Sequence, residues 1–467
     1  MKKFLVVVLI AISIQPFAQE KVVLEKPSID KRVELLSIVF RLAERREYSS
    51  SVFKLYTDRI ERHFNQYKNH DLIRFTKSIM NERGLGYDAV AWMSIYLDDS
   101  LNLLTNVKYD LWQRDSRWTK EDVEKFIPLL KKFAKDTHFD EFFNENIDLY
   151  NEAIKRFAPL YEPLDLNWYF TFYGKEPSET FSIKIGMSNG MSNYGPSLDY
   201  FDGNRKVYTI VGVGLTDSTG MPKFDYNALA SLIIIHEFNH SFVNYLVDNN
   251  IDELRESGEK IFSVVKDVMT KQAYGSWKIM MYEALVRAAV IKYMKDHDFD
   301  QQMLEGITNW EKECGFYWIE ELVKELESYD KQRDQYPTLE SYMPKLVESY
   351  KIWVDYVQGI EEKRPVVVSI NEFANGNMNV NPETKTITFN FSVPLSGKGY
   401  SVNYGNKGQG AFPKVEGINY ANENKSVIMQ VNLERDKEYQ FILVGRNFTS
   451  IEGIGIKDYE VNFKTDK

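Results

Sequence analysis

The chain has 467 residues, of which 43% are hydrophobic and 14% aromatic. That apolar content can offset chain entropy, which excludes a long disordered protein and leaves room for about three domains. A formal net charge of -10 offers no basic footprint for a phosphate backbone and argues against a nucleic-acid partner.

The first residues read as an export signal: Lys2 and Lys3, an apolar run from Phe4 to Ile14, then Ala18 before Gln19. Removal of 1–18 is expected, with Pro16 blurring the cleavage point. The apolar run is too short to span a bilayer, so the mature protein is expected to be periplasmic or extracellular, with no integral span. Cys314 is the only cysteine, so no intrachain disulfide can form, and a structural thiol is expected rather than a nucleophile.

Residues 19–165 read as a helical region. Val33, Leu35, Leu36, Val39, Phe40 and Leu42 recur at helical intervals, and Ser28 or Asp30 can cap the first helix. Residues 166–362 form the next expected domain. It opens on strand-like segments, Trp168 to Phe172, Phe181 to Met187 and Lys206 to Leu215, which suggest a small sheet; either Phe181 to Met187 or Lys206 to Leu215 is a candidate edge strand for pairing with an extended peptide, the alternative being a sheet that only covers the helix that follows. A long helix follows, capped by Asp225 or Asn227 and ending near Asp248 to Asn250. Further helices are expected over Ile251 to Lys271 and Ser276 to Lys295, and through Val323 and Val354. After Arg364-Pro365 the pattern turns to short alternating strands, Val366 to Ile370, Thr386 to Ser392, Ser401 to Tyr404, Ser426 to Val431, Tyr439 to Val444 and Tyr459 to Phe463, so residues 365–467 predict an all-β sandwich. The fold class expected is α+β and multidomain.

The chemistry is concentrated in His236-Glu237-Phe238-Asn239-His240. Residues four apart on a helix share a face, so both imidazoles can reach one metal ion, with Glu237 offset toward a bound water. Zinc suits this arrangement: three protein ligands leave a fourth position for water, whose pKa falls toward neutrality. Glu237 would take that water's proton and pass it to the leaving amine. The run Ile233 to Ile235 predicts that the helix is buried, where two histidines and a carboxylate need partners.

The third ligand must come from elsewhere. A His-Glu-x-x-His-x-x-Gly-x-x-His site is excluded, because Val243 and Leu246 stand at the Gly and third His positions. Glu283 is the best carboxylate, since Ile279, Met280, Val286 and Val290 set it on a mostly apolar stripe. An ion pair with Arg287 is the alternative, and the two are compatible if Arg287 orients the ligand. Glu256 and Glu259 are nearer in sequence but lie in a densely charged, solvated segment. Tyr274, Tyr282 and Tyr245 have the chemistry of an oxyanion donor.

These residues carry a resemblance. The string His236 to His240 followed by a helix-borne Glu resembles the gluzincin group of zinc metallopeptidases. The strings His236 to Asn244, Tyr274-Gly-Ser-Trp277 with Glu283 to Ala288, and Val33 to Ala43 resemble an exported bacterial domain-of-unknown-function family grouped with the zincins. The resemblance covers about residues 28 to 360. It implies a mainly helical zincin-like catalytic region with a small β-sheet, one Zn2+ ion held by His236, His240 and Glu283, and Glu237 as the catalytic carboxylate. Tyr274 is carried as a second catalytic candidate. The last hundred residues, with Ile387 to Leu395 as a strand ending in a Pro-bearing turn, are similar to bacterial Ig-like domains found at the ends of surface proteins, which implies a role in spacing or in holding the chain near a surface or substrate.

The expected function is therefore a secreted zinc metallopeptidase acting on polypeptides. Two rivals stand beside it: a catalytically silent scaffold that binds a surface glycan or protein, and a zinc amidase acting on cell-wall peptide.

Overall fold

The computed structural model describes residues 22–175, 178–224 and 228–467, with the backbone alone for 228–231. The expected signal segment and the Asp225 and Asn227 caps lie outside the described residues. The chain divides into two compact units that meet between Phe238 and Asn239.

The first unit contains, in order, β1 (Val23–Ser28), α1 (Lys31–Leu42), α2 (Lys54–Phe64), α3 (Asp71–Arg83), α4 (Asp88–Ile95), α5 (Leu111–Arg114), α6 (Lys120–Asp136), α7 (Phe139–Glu145), α8 (Ile147–Tyr161), α9 (Asn167–Tyr173), β2 (Glu179–Gly186), β3 (Ser197–Asp199) and β4 (Arg205–Gly212). Asp30 caps α1 by accepting from the amides of Arg32 and Val33, while Ser28 is spent in β1. Leu35, Leu36, Ile38, Val39 and Phe40 are all buried, so α1 is an interior helix, packed on α3, α4 and β2.

The sheet order is β1-β2-β4-β3, with β1, β2 and β4 parallel and β3 antiparallel. This corrects three expectations. Residues 23–28, inside the region read as helical, form an edge strand; Pro27 and three charged or polar neighbours hide the strand pattern, and an edge tolerates Pro. Trp168 to Phe172 is helical, because its aromatics pack as a helix: Trp168 stacks on Phe172 at 4.5 Å and Tyr169 on Tyr173 at 6.2 Å. The segments expected to supply an edge, β2 and β4, are interior; among the described residues the outer strands are β1 and β3, and the end of β3 is bonded to a loop, the Lys108 amide donating to the Asp199 carbonyl at 2.7 Å.

The helix carrying the histidine motif, α10 (Ala228–Asn249), contains the division between the units. The second unit continues with α11 (Ile251–Lys271), α12 (Trp277–Asp296), α13 (Gln301–Glu313), α14 (Ile319–Asp330) and α15 (Leu339–Glu362). Ser276 starts α12 by accepting from the amide of Ile279. Helix α12 is the hub, packed on α11, α13 and α14 and buried along most of its length.

The strands β5 (Val367–Ile370), β6 (Thr386–Phe391), β7 (Val402–Tyr404), β8 (Lys414–Ala421), β9 (Ser426–Asn432), β10 (Glu438–Leu443) and β11 (Tyr459–Lys464) complete the chain. They form two antiparallel sheets, β5-β6-β9-β8 and β11-β10-β7. One core serves both: Ile387, Phe389 and Phe391 with Val427 and Met429 from one sheet, Phe441, Val461 and Phe463 from the other. Of these seven strands the sequence pattern locates all but β8, whose alternation is broken by Gly417 and a register shift. Within this unit the β region is tied to the helices by Lys271 to Asp458 and Lys457 to Glu361, both 2.7 Å, and by Arg364 donating to the Gly455 carbonyl at 2.6 Å.

Among the described residues no helix is long and apolar enough to cross a membrane.

Candidate metal centre

Elements of the first unit hold the N-terminal half of α10 from several sides. The Tyr169 hydroxyl donates to the Ile235 carbonyl at 2.9 Å, and Phe238 packs edge-on against Phe181 with ring centroids 4.8 Å apart. Gly195 presses on the backbone of Glu237 so closely that a Cβ there would stand 2.1 Å from the Glu237 oxygen. Ile234 and Ile235 are buried, but Ile233 is 39% exposed. Three consecutive residues sweep most of a helix circumference, so one of the run must face outward.

His236, His240 and Glu283 form a cluster able to hold a metal ion: one ligand atom from each lies within 4.8 Å of the others. The spacing of four brings both imidazoles to one side of α10, and α12 presents Glu283 from a largely buried helix. His240 Nε2 lies 3.5 Å from Glu283 Oε1. At its other nitrogen, His240 Nδ1 lies 3.2 Å from Asn244 Oδ1. An amide oxygen there accepts a hydrogen bond from Nδ1–H, which keeps the proton on Nδ1 and leaves the Nε2 lone pair for a cation, as metal-binding histidines require. The Glu237 side chain is buried beside the two histidines in sequence.

Glu283 Oε2 accepts from Arg287 Nε at 3.3 Å, so the ion pair and the cluster coexist. Arg287 Nη1 donates to Glu311 Oε2 at 2.6 Å, and Nη2 donates to the Tyr274 hydroxyl at 2.8 Å. Burial opposes the charge on Arg287, but Glu283, Tyr274 and Glu311 hold its pKa above the usual value. Burial, reinforced by the Glu283 charge, raises the Tyr274 phenol well above its ordinary range. Burial also raises Glu311, with Arg287 opposing.

Of the other candidates, Tyr282 donates to Asp248 and is thereby engaged away from Glu283, while Glu256 and Glu259 are exposed. Burial pushes the Cys314 thiol up to about 11, which keeps it protonated. Sequence reading missed Asn244 and Glu311. Asn244 had a signal, since it stands one turn beyond His240 on the same helix; Glu311 had none, because its partner lies on another helix.

Residues 26–349 match the family model described as Domain of unknown function (DUF4932). The chain belongs to that family. The DUF4932 segment contains all of the residues of the cluster, together with Glu237, Asn244, Tyr274, Arg287 and Glu311. None of the curated proteins matches the chain. Among solved structures, domains 1-6 of surface layer protein SbsC are 10% identical, with 52% of this chain and 34% of that chain covered and a TM-score of 0.18. The N-terminal part of the bacterial S-layer protein SbsC is 11% identical, covering 52% of this chain and 58% of that chain, with a TM-score of 0.17. The chain thus spans about a third of the length of the first of these S-layer chains.

Proposed function

We propose that this DUF4932 protein is an exported zinc-dependent metallopeptidase of gluzincin type, with a zincin-like catalytic region and an Ig-like C-terminal domain that contacts a surface or substrate. The observation that carries the reading is the convergence of His236, His240 and Glu283, with Glu237 beside them on the motif helix. Two imidazoles and one carboxylate are a donor set suited to zinc with an open position. The charges agree: Glu237, Glu283 and Glu311 against Arg287 leave two negative charges, which a divalent ion offsets.

When bound, such an ion supplies Lewis acidity, polarising a carbonyl and lowering the pKa of a coordinated water. The chain's own groups do the rest. Glu237 accepts the proton of the attacking water and returns it to the leaving amine. The Tyr274 hydroxyl accepts from Arg287 and is hydrogen-bonded to Glu283, so its proton would serve a developing oxyanion once a bound ion engages that carboxylate. The open edge beyond β4 offers backbone groups to an extended peptide. Tyr194 bridges Ile210 and β3 pairs with β4, so residues 194–198 form that edge, which ends where the Asp199 carbonyl accepts from the Lys108 amide, and Gly195 brings it against the turn that bears Glu237.

The test combines metal analysis of the purified chain with cleavage of a mixed peptide library and of isolated cell wall. Zinc at one ion per chain, with peptide cleavage abolished in Glu237→Gln while zinc is retained, supports the reading. Bound zinc with no cleavage of any substrate favours a binding scaffold, and release from cell wall alone favours an amidase.

A further inference from the structure

We infer that Glu311 is a positioning residue for the metal ligand Glu283, acting through Arg287; this rests on the metal-site reading above. Glu283 and Glu311 are 8% and 6% exposed, and the Arg287 side chain lies between them. Burying three ionised groups together is costly unless each is held by the others.

The guanidinium spends its fork on three different partners: Nε on Glu283 Oε2 at 3.3 Å, Nη1 on Glu311 Oε2 at 2.6 Å and Nη2 on the Tyr274 hydroxyl at 2.8 Å. The Phe316 ring, 4.9 Å from the guanidinium carbon, packs against it. The shortest of these contacts is to Glu311, so Arg287 is committed first to a carboxylate that does not belong to the cluster. That commitment matters for Glu283. An arginine with no other anion would place its full charge on the ligand carboxylate and compete with the cation for it. With Glu311 in place, Arg287 fixes the Oε2 side of Glu283 and leaves Oε1 turned to His240 Nε2, 3.5 Å away. Glu283 is thereby held with Oε1 on the side of the histidines, where it would serve a bound ion.

Zinc affinity of the full chain, measured by competition with a chromogenic chelator, tests this, together with the absorption spectrum of the cobalt(II)-substituted protein. Glu311→Gln is expected to weaken zinc binding by about 10-fold or more, in the range typical of groups that orient metal ligands, and to alter the cobalt spectrum. Glu311→Asp, which keeps the charge, is expected to recover much of the affinity. Arg287→Lys, which keeps the charge but cannot reach three partners in fixed geometry, is expected to weaken binding as well. Should Glu311→Gln fail to fold, Glu311→Asp and Arg287→Lys carry the comparison. Wild-type affinity and an unchanged cobalt spectrum in the folded variants overturn the inference while sparing the metal site. A wild-type chain that binds no ion overturns both.

Discussion

A Cβ on Gly195 would stand 2.1 Å from the backbone oxygen of Glu237, so the absence of a side chain at 195 sets how closely the edge strand approaches the motif helix. A backbone oxygen cannot rotate aside. Gly195→Ala is therefore expected to force strand and helix apart, at a cost of about 1–3 kcal/mol in urea unfolding. Peptide cleavage is expected to fall by more than the loss of folded protein accounts for. Gly306→Ala in α13, where no heavy atom lies within 4 Å of the added Cβ, is the control and should be neutral or stabilising. Equal unfolding midpoints for the two variants would show that the approach is not tight.

Asn244 gives a second expectation. Its Oδ1 is 3.2 Å from His240 Nδ1, and loss of that acceptor frees the imidazole to rotate and to place its proton on Nε2. Asn244→Ala should weaken zinc binding by about 10- to 100-fold, and Asn244→Asp should restore it, because a carboxylate accepts the same proton more strongly. Chelator competition reads both. An alanine variant with wild-type affinity would refute the role.

The histidine motif was legible in the sequence because all of its information is local: four residues along one helix fix which side chains share a face. Glu283 was legible for a related reason, as a carboxylate on an apolar stripe of its own helix. Glu311 was not, since only the packing of α13 on α12 brings it to Arg287. The strand β1 escaped for a similar cause: its identity comes from pairing with β2, far along the chain, rather than from alternation in Val23–Ser28. Helix α9 was misread because its aromatic residues favour strands in isolation, and packing among themselves and on Phe181 overrides that preference.

Cation binding should also appear in stability. An ion that binds the folded chain alone stabilises it by about 2.7 kcal/mol at a free concentration 100 times its dissociation constant. Added zinc is expected to raise the thermal midpoint, and a chelator to lower it again. His240→Ala should abolish the zinc-dependent part of the shift. A zinc response that survives His240→Ala would place the ion elsewhere.

Glu34 gives a prediction that does not involve the metal. Its side chain on α1 is fully buried, Oε1 accepts from the Met187 amide at 2.7 Å, and among the described residues Oε2 has no partner at close hydrogen-bond geometry. Burial raises its pKa from 4.5 to about 8, against the opposing pull of the Met187 amide and Tyr56. Across that interval the folded chain keeps the proton and the unfolded chain has released it, so the unfolded state binds fewer protons and stability falls as pH rises. The contribution is fully present below the unfolded value of 4.5 and lost by the time pH passes the folded value of about 8. The limiting slope is about 1.4 kcal/mol per pH unit. Glu34→Gln keeps the shape and carries no charge, so its unfolding free energy should be close to wild type at acidic pH, exceed it at mildly alkaline pH and depend less on pH between. Urea titrations at several pH values measure this, and a constant offset between the two proteins at every pH would show that Glu34 does not carry the proton through that range.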